Sequence, residues 1–179
     1  MTKVLFVCMA NICRSPIAEA VARSKARDTG LAGAFLFDSA GIIGDFAGQP
    51  PDGRGIAALT QKGYAPPKTC ARVIKRKDFD TFDMILALDS TVLHALKAIC
   101  PTDQQHKLAL FLGLLPNPGL SDVPDPYFGN IDGFLNAIAL SEQAVEGLLA
   151  STQTSAIPSN DKRGNGLLHR LKRLVGIPL

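Results

Sequence analysis

The chain has 179 residues, of which 46% are hydrophobic and 20% charged, a composition ordinary for a globular domain. Its length fits one α/β domain whose core needs no disulfides or structural metal. The net charge of +3 is unevenly distributed, because residues 151–179 carry five cations and one acid, which leaves residues 1–150 near −1. A near-neutral body lacks the basic face of a nucleic-acid-binding protein, so we exclude that class.

The first elements alternate between strand and helix. Residues 4–7 are a continuous apolar run, which predicts a strand buried on both faces of a parallel sheet. Ser15 and Pro16 then begin a helix, since proline fits the first helical turn. Residues 34–37 predict a second strand, and Ser39 opens a long loop that is rich in glycine and proline. The first unit is therefore a strand, a short polar loop and a helix.

The rest of the chain repeats this alternation. A helix is predicted over residues 52–62, with Asp52 as its N-cap and Gly63 after its end. The later predictions are strands at residues 84–88 and 108–112, a helix after Ser90, a loop at 116–129 and a helix at 131–149. This order predicts a three-layer α/β fold, a four-stranded parallel sheet flanked by helices. Such sheets bind ligands beyond the carboxyl ends of their strands, where the loop after the first strand lies.

The C-terminal part differs from the rest in composition. Residues 151–166 are rich in Ser, Thr, Asn and Gly and predict a linker, so we place the end of the folded domain at residue 150. If residues 167–175 form a helix, the Leu and Val side chains lie on one face and the cations lie outside that face. A basic amphipathic stretch is typical of a segment that binds an anionic membrane or a partner protein. A strap packed on the domain, or a disordered end, are the alternatives.

Cysteine spacing and the lack of a targeting segment predict a cytoplasmic protein. The four cysteines are Cys8, Cys13, Cys70 and Cys100. They form no C-x-x-C pair, so we expect neither a metal site nor a disulfide framework, and no cofactor. No apolar stretch has membrane length, and Asn11 and Arg14 follow the first apolar run too soon for a secretory signal. Free thiols fit a reducing compartment.

A cysteine and an arginine separated by five residues lie between the first strand and the first helix. In this segment, from Cys8 to Ser15, a short loop can turn its backbone N–H groups inward around one anion, and the helix dipole adds positive potential. The same potential favours the Cys8 thiolate as a nucleophile. Arg14 has the planar fork that holds two phosphate oxygens. The Ser15 hydroxyl is placed to stabilise the Cys8 sulfur as it leaves, so the pattern favours phosphoryl transfer.

Phosphoryl transfer also needs a proton donor for the departing oxygen. Asp122 and Asp125 are the candidates in the polar loop at residues 116–129. We favour Asp125, because Pro126 fixes the backbone beside it and Tyr127 offers a flat wall for an aromatic leaving group.

The sequence of residues 8–16, CMANICRSP, resembles the phosphate loop of the low-molecular-weight protein tyrosine phosphatases, usually C-x-G-N-x-C-R-S-P. The matches that follow in order are Asp38 to Gly41, Asp52-x-Arg54, Ala71-Arg72, Phe82 to Leu86 with Asp89, and Asp125 to Tyr127. The resemblance covers residues 3 to 150. It implies hydrolysis of phosphotyrosine in proteins through a phosphocysteine intermediate, without metal or cofactor.

The resemblance also implies a role for individual residues. Cys8 is implied as the nucleophile, Arg14 as the phosphate binder, and Asp125 as the general acid and later the base for water. The phosphate site is expected to be formed by Met9, Ala10, Asn11, Ile12 and Cys13. The network that keeps this loop in shape is expected to consist of Asn11, Ser15 and Ser39.

Two further roles follow from the resemblance. Cys13 is expected to form a reversible disulfide with Cys8 under oxidation. Phe46 falls where the family has an aromatic wall of the substrate cleft, so that with Tyr127 it would enclose a phenyl ring. The alternative for Phe46 is a hydrophobic anchor of its loop.

Three positions depart from the family pattern. Ala10 replaces the usual glycine, Leu88 a common methionine, and Phe128 a second tyrosine. Only Ala10 bears on the chemistry, because its Cβ disfavours a positive φ. We expect the activity to be kept, at a lowered rate at most.

Three rival interpretations remain at this point. Arsenate reductases of the same fold need two further redox cysteines close together, whereas Cys70 and Cys100 lie thirty residues apart. A related phosphatase acts on phosphoarginine and carries threonine where Ile12 stands, and an apolar side chain favours an aryl phosphate instead. A non-catalytic phosphotyrosine-binding module would not need Asp125.

Overall fold

Four short strands pair in parallel to form one sheet in the computed structural model, which describes residues 1–115 and 119–153. They are β1 (Thr2–Cys8), β2 (Phe35–Gly41), β3 (Met84–Ala87) and β4 (Leu108–Leu110). Their order across the sheet is β2-β1-β3-β4. The chain leaves β1 toward one edge and β3 toward the other, so the crevice between β1 and β3 is the switch point at which such sheets bind ligands.

Helices cover both faces of this sheet. They are α1 (Arg14–Asp28), α2 (Gly53–Gln61), α3 (Arg76–Thr81), α4 (Ser90–Ile99) and α5 (Ile131–Gln153), with 3₁₀ turns at Thr102–Lys107 and Phe111–Leu114. Side chains of β1 alternate between the faces: Val4 and Phe6 join the core cluster that includes α1 and α5, while Leu5 and Val7 join the cluster that includes α3 and α4. Within the described part of the chain, no helix has both the length and the apolarity to cross a bilayer.

The predicted α/β fold, with four parallel strands and flanking helices, is confirmed, but two strand ends were wrong. β2 does not stop before Ser39, because residues 39–41 continue the ladder and pair with the last three residues of β1. β4 ends at Leu110, and Phe111 and Leu112 turn into a 3₁₀ helix. Both side chains are fully buried in the same core cluster, which two successive residues of a strand, pointing to opposite faces, could not achieve.

Other boundaries differ in smaller ways. The helix predicted at Ser15 begins one residue earlier, at Arg14, and the final helix continues to residue 153. α3 was not predicted, because its six residues have a single buried apolar side chain, Phe79. Residues 116–118 of the loop predicted at 116–129 lie outside the described residues. So do the basic stretch at 167–175 and all but the first three residues of the linker predicted at 151–166. The domain boundary at residue 150 stays a prediction.

Candidate active site

A cavity of about 250 Å³ opens at the carboxyl end of β1, at the switch point of the sheet. Its lining brings together residues from three loops: Cys8, Met9, Ala10, Ile12, Cys13, Arg14, Ile43, Phe46, Asp125, Tyr127 and Phe128. Every residue predicted to contact substrate therefore lines it, except Asn11, which lies behind the loop and is 3% exposed. We call residues 8–15 the phosphate loop and residues 121–130 the acid loop.

The sulfur of Cys8 lies within hydrogen-bond distance of two groups that can stabilise a thiolate. The backbone N–H of Asn11 donates to it at 3.3 Å, and the Ser15 hydroxyl lies 3.0 Å away. The same hydroxyl also lies 3.3 Å from the carbonyl oxygen of Ala40. It has one proton for two acceptors, and an anionic sulfur is the stronger acceptor of the two. Ionisation of Cys8 therefore draws the Ser15 proton toward the sulfur.

Asn11 shapes the phosphate loop from behind. Its φ is 58°, a left-handed conformation that Asn tolerates better than most residues. Its side-chain amide donates to Ser15 Oγ at 2.9 Å and to Ser39 Oγ at 3.0 Å, and its carbonyl oxygen accepts the backbone N–H of Arg72 at 2.9 Å. The Ser39 hydroxyl in turn donates a hydrogen bond to the buried carboxylate of Glu19 at 2.7 Å. Both side-chain donors of Asn11 are thus paired, and they fix the shape of the phosphate loop.

The close approach of β2 explains a glycine at its end. A Cβ on Gly41 would lie 2.8 Å from the backbone carbon of Ala10 and 2.9 Å from the carbonyl oxygen of Met9. Beyond it, the N–H groups of Ile42 and Ile43 donate to Met9. Ala10 itself avoids a positive φ, since among the described non-glycine residues only Asn11 has one. The expected conflict at Ala10 is therefore absent.

Arg14 is buried at the floor of the cavity, with 4% of its side chain exposed. One terminal nitrogen donates to Asp89 at 2.5 Å and to the carbonyl oxygen of Val123 at 3.1 Å, and the other donates to Asp125 at 2.9 Å. Asp89 also accepts the N–H of Val92 as the N-cap of α4. These contacts fix the orientation of the Arg14 guanidinium beside the phosphate loop.

Of the two candidate acids, only Asp125 reaches the cavity. Asp122 instead accepts hydrogen bonds from the hydroxyl (2.6 Å) and the backbone N–H (3.1 Å) of Ser90. The Ser90 hydroxyl bond holds the pKa of Asp122 below its usual value, which disfavours the protonated form that a general acid needs. The preference for Asp125 agrees with this arrangement.

The second cysteine of the phosphate loop, Cys13, is buried close to Asp52. Burial raises the pKa of the Cys13 thiol to about 12, and the nearby carboxylate of Asp52 adds to the rise. Cys13 is therefore a neutral thiol at physiological pH and does not compete with Cys8 as a nucleophile. Both cysteines are reduced in the structure, so the expected disulfide between them stays a prediction.

Phe46 and Tyr127 form aromatic walls of the cavity. Their ring centroids are 6.0 Å apart and the rings meet edge to face, with 68° between their planes, so they are not the parallel pair that a sandwich would need. Phe46 also packs against the main core cluster. The two interpretations of Phe46, cleft wall and loop anchor, are thus compatible.

Comparison with known proteins agrees with this geometry. The family model of low molecular weight phosphotyrosine protein phosphatase matches residues 3–157. A low molecular weight protein-tyrosine-phosphatase of Streptomyces coelicolor is 40% identical over 154 residues, which cover 84% of this chain and 93% of the relative. YfkJ, a low molecular weight protein-tyrosine-phosphatase of Bacillus subtilis, is 38% identical over 154 residues, 86% of this chain and 97% of the relative.

The solved structures give the same result. A protein tyrosine phosphatase from Entamoeba histolytica superposes with a TM-score of 0.83 at 32% identity, covering 88% of this chain and 100% of that one. The chain belongs to the low molecular weight phosphotyrosine protein phosphatases.

In this phosphatase, sequence reasoning missed four participants in the site. Ile43 and Phe128 line the cavity: Ile43 has no catalytic pattern beside it, and Phe128 follows the match at Asp125 to Tyr127 but was considered only as a departure from the family pattern. Asp89 and Arg54 were part of the family match, yet no role was assigned to them. Asp89 bonds Arg14, and its position directly after a buried strand was the available signal. Within the described residues, no cluster of three His, Cys, Asp or Glu side chains could hold a metal ion.

Proposed function

We propose that this phosphatase removes phosphate from tyrosine in proteins in two steps, with Cys8 as nucleophile, Arg14 as phosphate binder and Asp125 as general acid and base. Family membership makes the chain a hydrolase of phosphotyrosine-bearing proteins, and a phosphocysteine intermediate is standard for that family. The residue roles are our addition. These roles are supported by one observation: the Cys8 sulfur, the Arg14 guanidinium and the Asp125 carboxyl group line the same cavity.

In the first step, the Cys8 thiolate attacks phosphorus and a sulfur–phosphorus bond forms while the bond to the tyrosyl oxygen breaks. The departing oxygen takes a proton from Asp125. The negative charge on the phosphoryl oxygens is met by Arg14 and by the inward N–H groups of the phosphate loop, which are fixed before the substrate arrives. These hydrogen-bond donors do not have to reorient as the transition state forms.

In the second step, a water molecule attacks the phosphocysteine. Asp125, now a carboxylate, takes the proton of this water, and the sulfur–phosphorus bond breaks to release inorganic phosphate. The leaving sulfur is stabilised by the Ser15 hydroxyl at 3.0 Å and the Asn11 N–H at 3.3 Å. These are the contacts that the thiolate has before the reaction, so the cycle returns to its starting state.

The walls of the cavity favour an aryl phosphate. Ile12 is 7% exposed and lines the cavity together with Phe46 and Tyr127, so the group beyond the phosphate meets apolar surface. A phenyl ring gains from this contact, whereas a guanidinium would lose hydrogen bonds to water without replacement. We therefore prefer phosphotyrosine to phosphoarginine as the substrate.

The thiols weigh against arsenate reduction. Neither Cys70 nor Cys100 lines the cavity: Cys70 is exposed, and Cys100 is buried in the core cluster on the other face of the sheet from α1 and α5. A relay of thiols from Cys8 would need to end near the loop. The proposed mechanism needs Cys8 as a free thiol, so we propose that the enzyme works in a reducing cytoplasm.

Residues 167–175 stay a separate hypothesis, that of contact with an anionic membrane or a partner protein. They lie outside the described residues, and the proposal rests only on their basic amphipathic sequence.

The assignment is tested by kinetics on two aryl phosphates, p-nitrophenyl phosphate and phenyl phosphate, the second with the poorer leaving group. Cys8→Ser abolishes turnover, because a serine hydroxyl in this site is a far weaker nucleophile. Asp125→Asn lowers kcat/KM for phenyl phosphate by about 100-fold and for p-nitrophenyl phosphate by much less, since only the poorer leaving group depends on the proton. Brief reaction with substrate followed by acid quench and mass spectrometry finds one phosphoryl group on Cys8.

The matched control is Cys70→Ser, which removes an exposed thiol outside the cavity and should leave both substrates unaffected. Substantial turnover by Cys8→Ser would reject the nucleophile. An equal loss on the two substrates in Asp125→Asn would reject Asp125 as the acid. Binding without turnover by the unaltered chain would favour the phosphotyrosine-binding module.

A further inference from the structure

The contacts that position Asp125 have to survive the reaction. In the structure, its carboxylate accepts one hydrogen bond from Arg14 at 2.9 Å and one from the N–H of Tyr127 at 3.1 Å. The bond from Arg14 is an ion pair, and its charge attraction is lost when Asp125 is protonated, which is the form that acts as an acid. The second lies within the acid loop. The loop therefore needs anchors that do not depend on the charge of Asp125.

One anchor lies before Asp125. The N–H of Val123 donates to the carbonyl oxygen of Leu88 at 2.8 Å, at the carboxyl end of β3, and Val123 is 1% exposed. Pro126 is buried directly after Asp125, but the residues that follow it up to α5 are not, and Phe128 is 97% exposed. The part of the loop beyond Pro126 therefore needs a further anchor.

Arg54, at the start of α2, supplies the anchor for this part of the acid loop. Its guanidinium donates to the carbonyl oxygen of Gly129 at 2.9 Å and to that of Tyr127 at 3.0 Å. The guanidinium carbon lies 5.9 Å from the centroid of the Tyr127 ring and 4.9 Å from that of Phe134, which also holds the plane of the group. Both acceptors lie within four residues of Asp125.

Arg54 is itself fixed to the phosphate loop through Asp52. The Asp52 carboxylate accepts two hydrogen bonds from the Arg54 side chain, at 3.0 and 2.7 Å, and caps α2 by accepting the Arg54 N–H at 2.8 Å. The Asp52 N–H donates to the carbonyl oxygen of Ile12, in the phosphate loop, at 2.8 Å. Four of the five N–H donors of Arg54 are thus in use. A continuous chain of hydrogen bonds therefore joins the phosphate loop to the acid loop.

We propose that Arg54 is a positioning residue for general acid catalysis, which keeps the acid loop at a fixed distance from the phosphate loop while Asp125 is neutral. The inference rests on the proposed role of Asp125. It assigns to Arg54 no contact with substrate, and it predicts a defect in protonation of the leaving group without a defect in phosphate binding.

The test replaces Arg54 by methionine, which keeps an unbranched stem over Phe134 but has no donors. A misplaced acid matters only for a leaving group that needs the proton, so we expect kcat/KM to fall by about 10-fold for phenyl phosphate and by less than about 2-fold for p-nitrophenyl phosphate. Arg54→Lys, whose three donors sit on one nitrogen and cannot span the acceptors that the planar fork reaches, should show a loss smaller than that of Arg54→Met. Inhibition by inorganic phosphate is unchanged in both.

The control is Arg76→Met, an arginine on α3 that is 64% exposed and pairs only with Asp80 one turn away. It should leave both substrates unaffected. The same Arg54→Met substitution in an Asp125→Asn background should cost nothing more, because no proton donor is left to position. Thermal unfolding of each variant, measured alongside, shows that the protein assayed is folded.

Several results overturn the proposal: equal losses on the two substrates, a rise in the inhibition constant for phosphate, an additive loss in the Asp125→Asn background, or no loss at all. Failure of this inference is distinguishable from failure of the proposed function. If Asp125→Asn shows its leaving-group dependence and Arg54→Met does not, only the role of Arg54 is wrong. If Asp125→Asn shows none, the acid itself is misassigned.

Discussion

The phosphate loop and the acid loop face each other across one cavity, but they are held in different ways. In the phosphate loop, Cys8, Asn11, Arg14 and Ser15 are all less than 5% exposed, and Cys8, Asn11 and Ser15 are linked to one another by hydrogen bonds. In the acid loop, the side chain of Asp125, the proposed acid, is 48% exposed. The phosphate loop is part of the buried core, whereas the acid loop lies at the surface and contacts the core at a few residues.

The two halves of the reaction explain this difference. A cradle for a dianion works only if its N–H groups already point inward, because turning them during the reaction would cost the energy that they are meant to supply. A proton donor has to reach an oxygen that belongs to a large protein substrate, so it has to stand at an open edge. Substitutions in the phosphate loop should therefore affect both stability and activity, whereas those in the acid loop should affect activity alone.

The sharpest test on the buried side is Gly41→Ala. The new Cβ would lie 2.8 to 2.9 Å from backbone atoms of residues 9–11, which cannot move without opening the phosphate loop. We expect kcat/KM to fall by roughly 100-fold and the free energy of unfolding by about 3 kcal/mol. Steady-state kinetics and urea unfolding measure the two effects.

The matched control is Gly33→Ala, because a Cβ at Gly33 meets no atom within 4 Å. It should keep full activity and stability within about 0.5 kcal/mol. An active Gly41→Ala enzyme with unchanged inhibition by phosphate would mean that the phosphate loop tolerates displacement, and the contrast between the two loops would be lost.

A second test separates the side chain of Asn11 from its backbone. Asn11→Ala removes three hydrogen bonds and leaves a Cβ at φ 58°, whereas Asn11→Gly removes the bonds without that penalty. We expect losses of about 10-fold in kcat/KM for both variants, and a free energy of unfolding lower by about 2 kcal/mol in Asn11→Ala, with about half of this recovered in Asn11→Gly. Equal stabilities of the two variants would show that the left-handed backbone is not strained by alanine.

The phosphate loop is also the part of the site that the sequence alone predicted best. Its residues are consecutive, and a buried strand before Cys8 and a helix after Arg14 fix how the segment between them can turn. Once the turn is known, the hydrogen bond from the Asn11 N–H to Cys8 and the closeness of the Ser15 hydroxyl to the sulfur follow from local geometry. The same holds for Asp52, whose type and position predicted the N-cap that the structure has.

Features that depend on distant parts of the chain were beyond such reasoning. Phe111 and Leu112 read as a strand because both are apolar, and only their burial in one cluster shows why the chain leaves the sheet there. Arg54 was visible as a matched residue, but its acceptors are backbone carbonyl oxygens more than seventy residues away, which carry no sequence signal. Ile43 enters the cavity because Gly41 lets β2 approach so closely.

The smallest effect is expected on the exposed side, at Phe128. Its ring is 97% exposed and contacts Tyr127 edge to face, with 5.0 Å between centroids, at the rim of the cavity. Phe128→Ala should change the free energy of unfolding by less than about 0.5 kcal/mol, because almost no surface is uncovered. It should also leave kcat/KM for p-nitrophenyl phosphate unchanged, since that substrate ends inside the cavity.

A phosphotyrosine peptide extends past the rim, so for it Phe128→Ala should raise KM by about 3-fold, the loss of one partial apolar contact. Ile99→Ala, at an exposed apolar residue on α4 outside the cavity, controls for a general loss of surface hydrophobicity and should change neither substrate. If the peptide and the small substrate were impaired equally, the ring would be acting on the position of Asp125 through Tyr127. The acid loop would then resemble the phosphate loop, in which Asn11 holds the shape of the loop without lining the cavity.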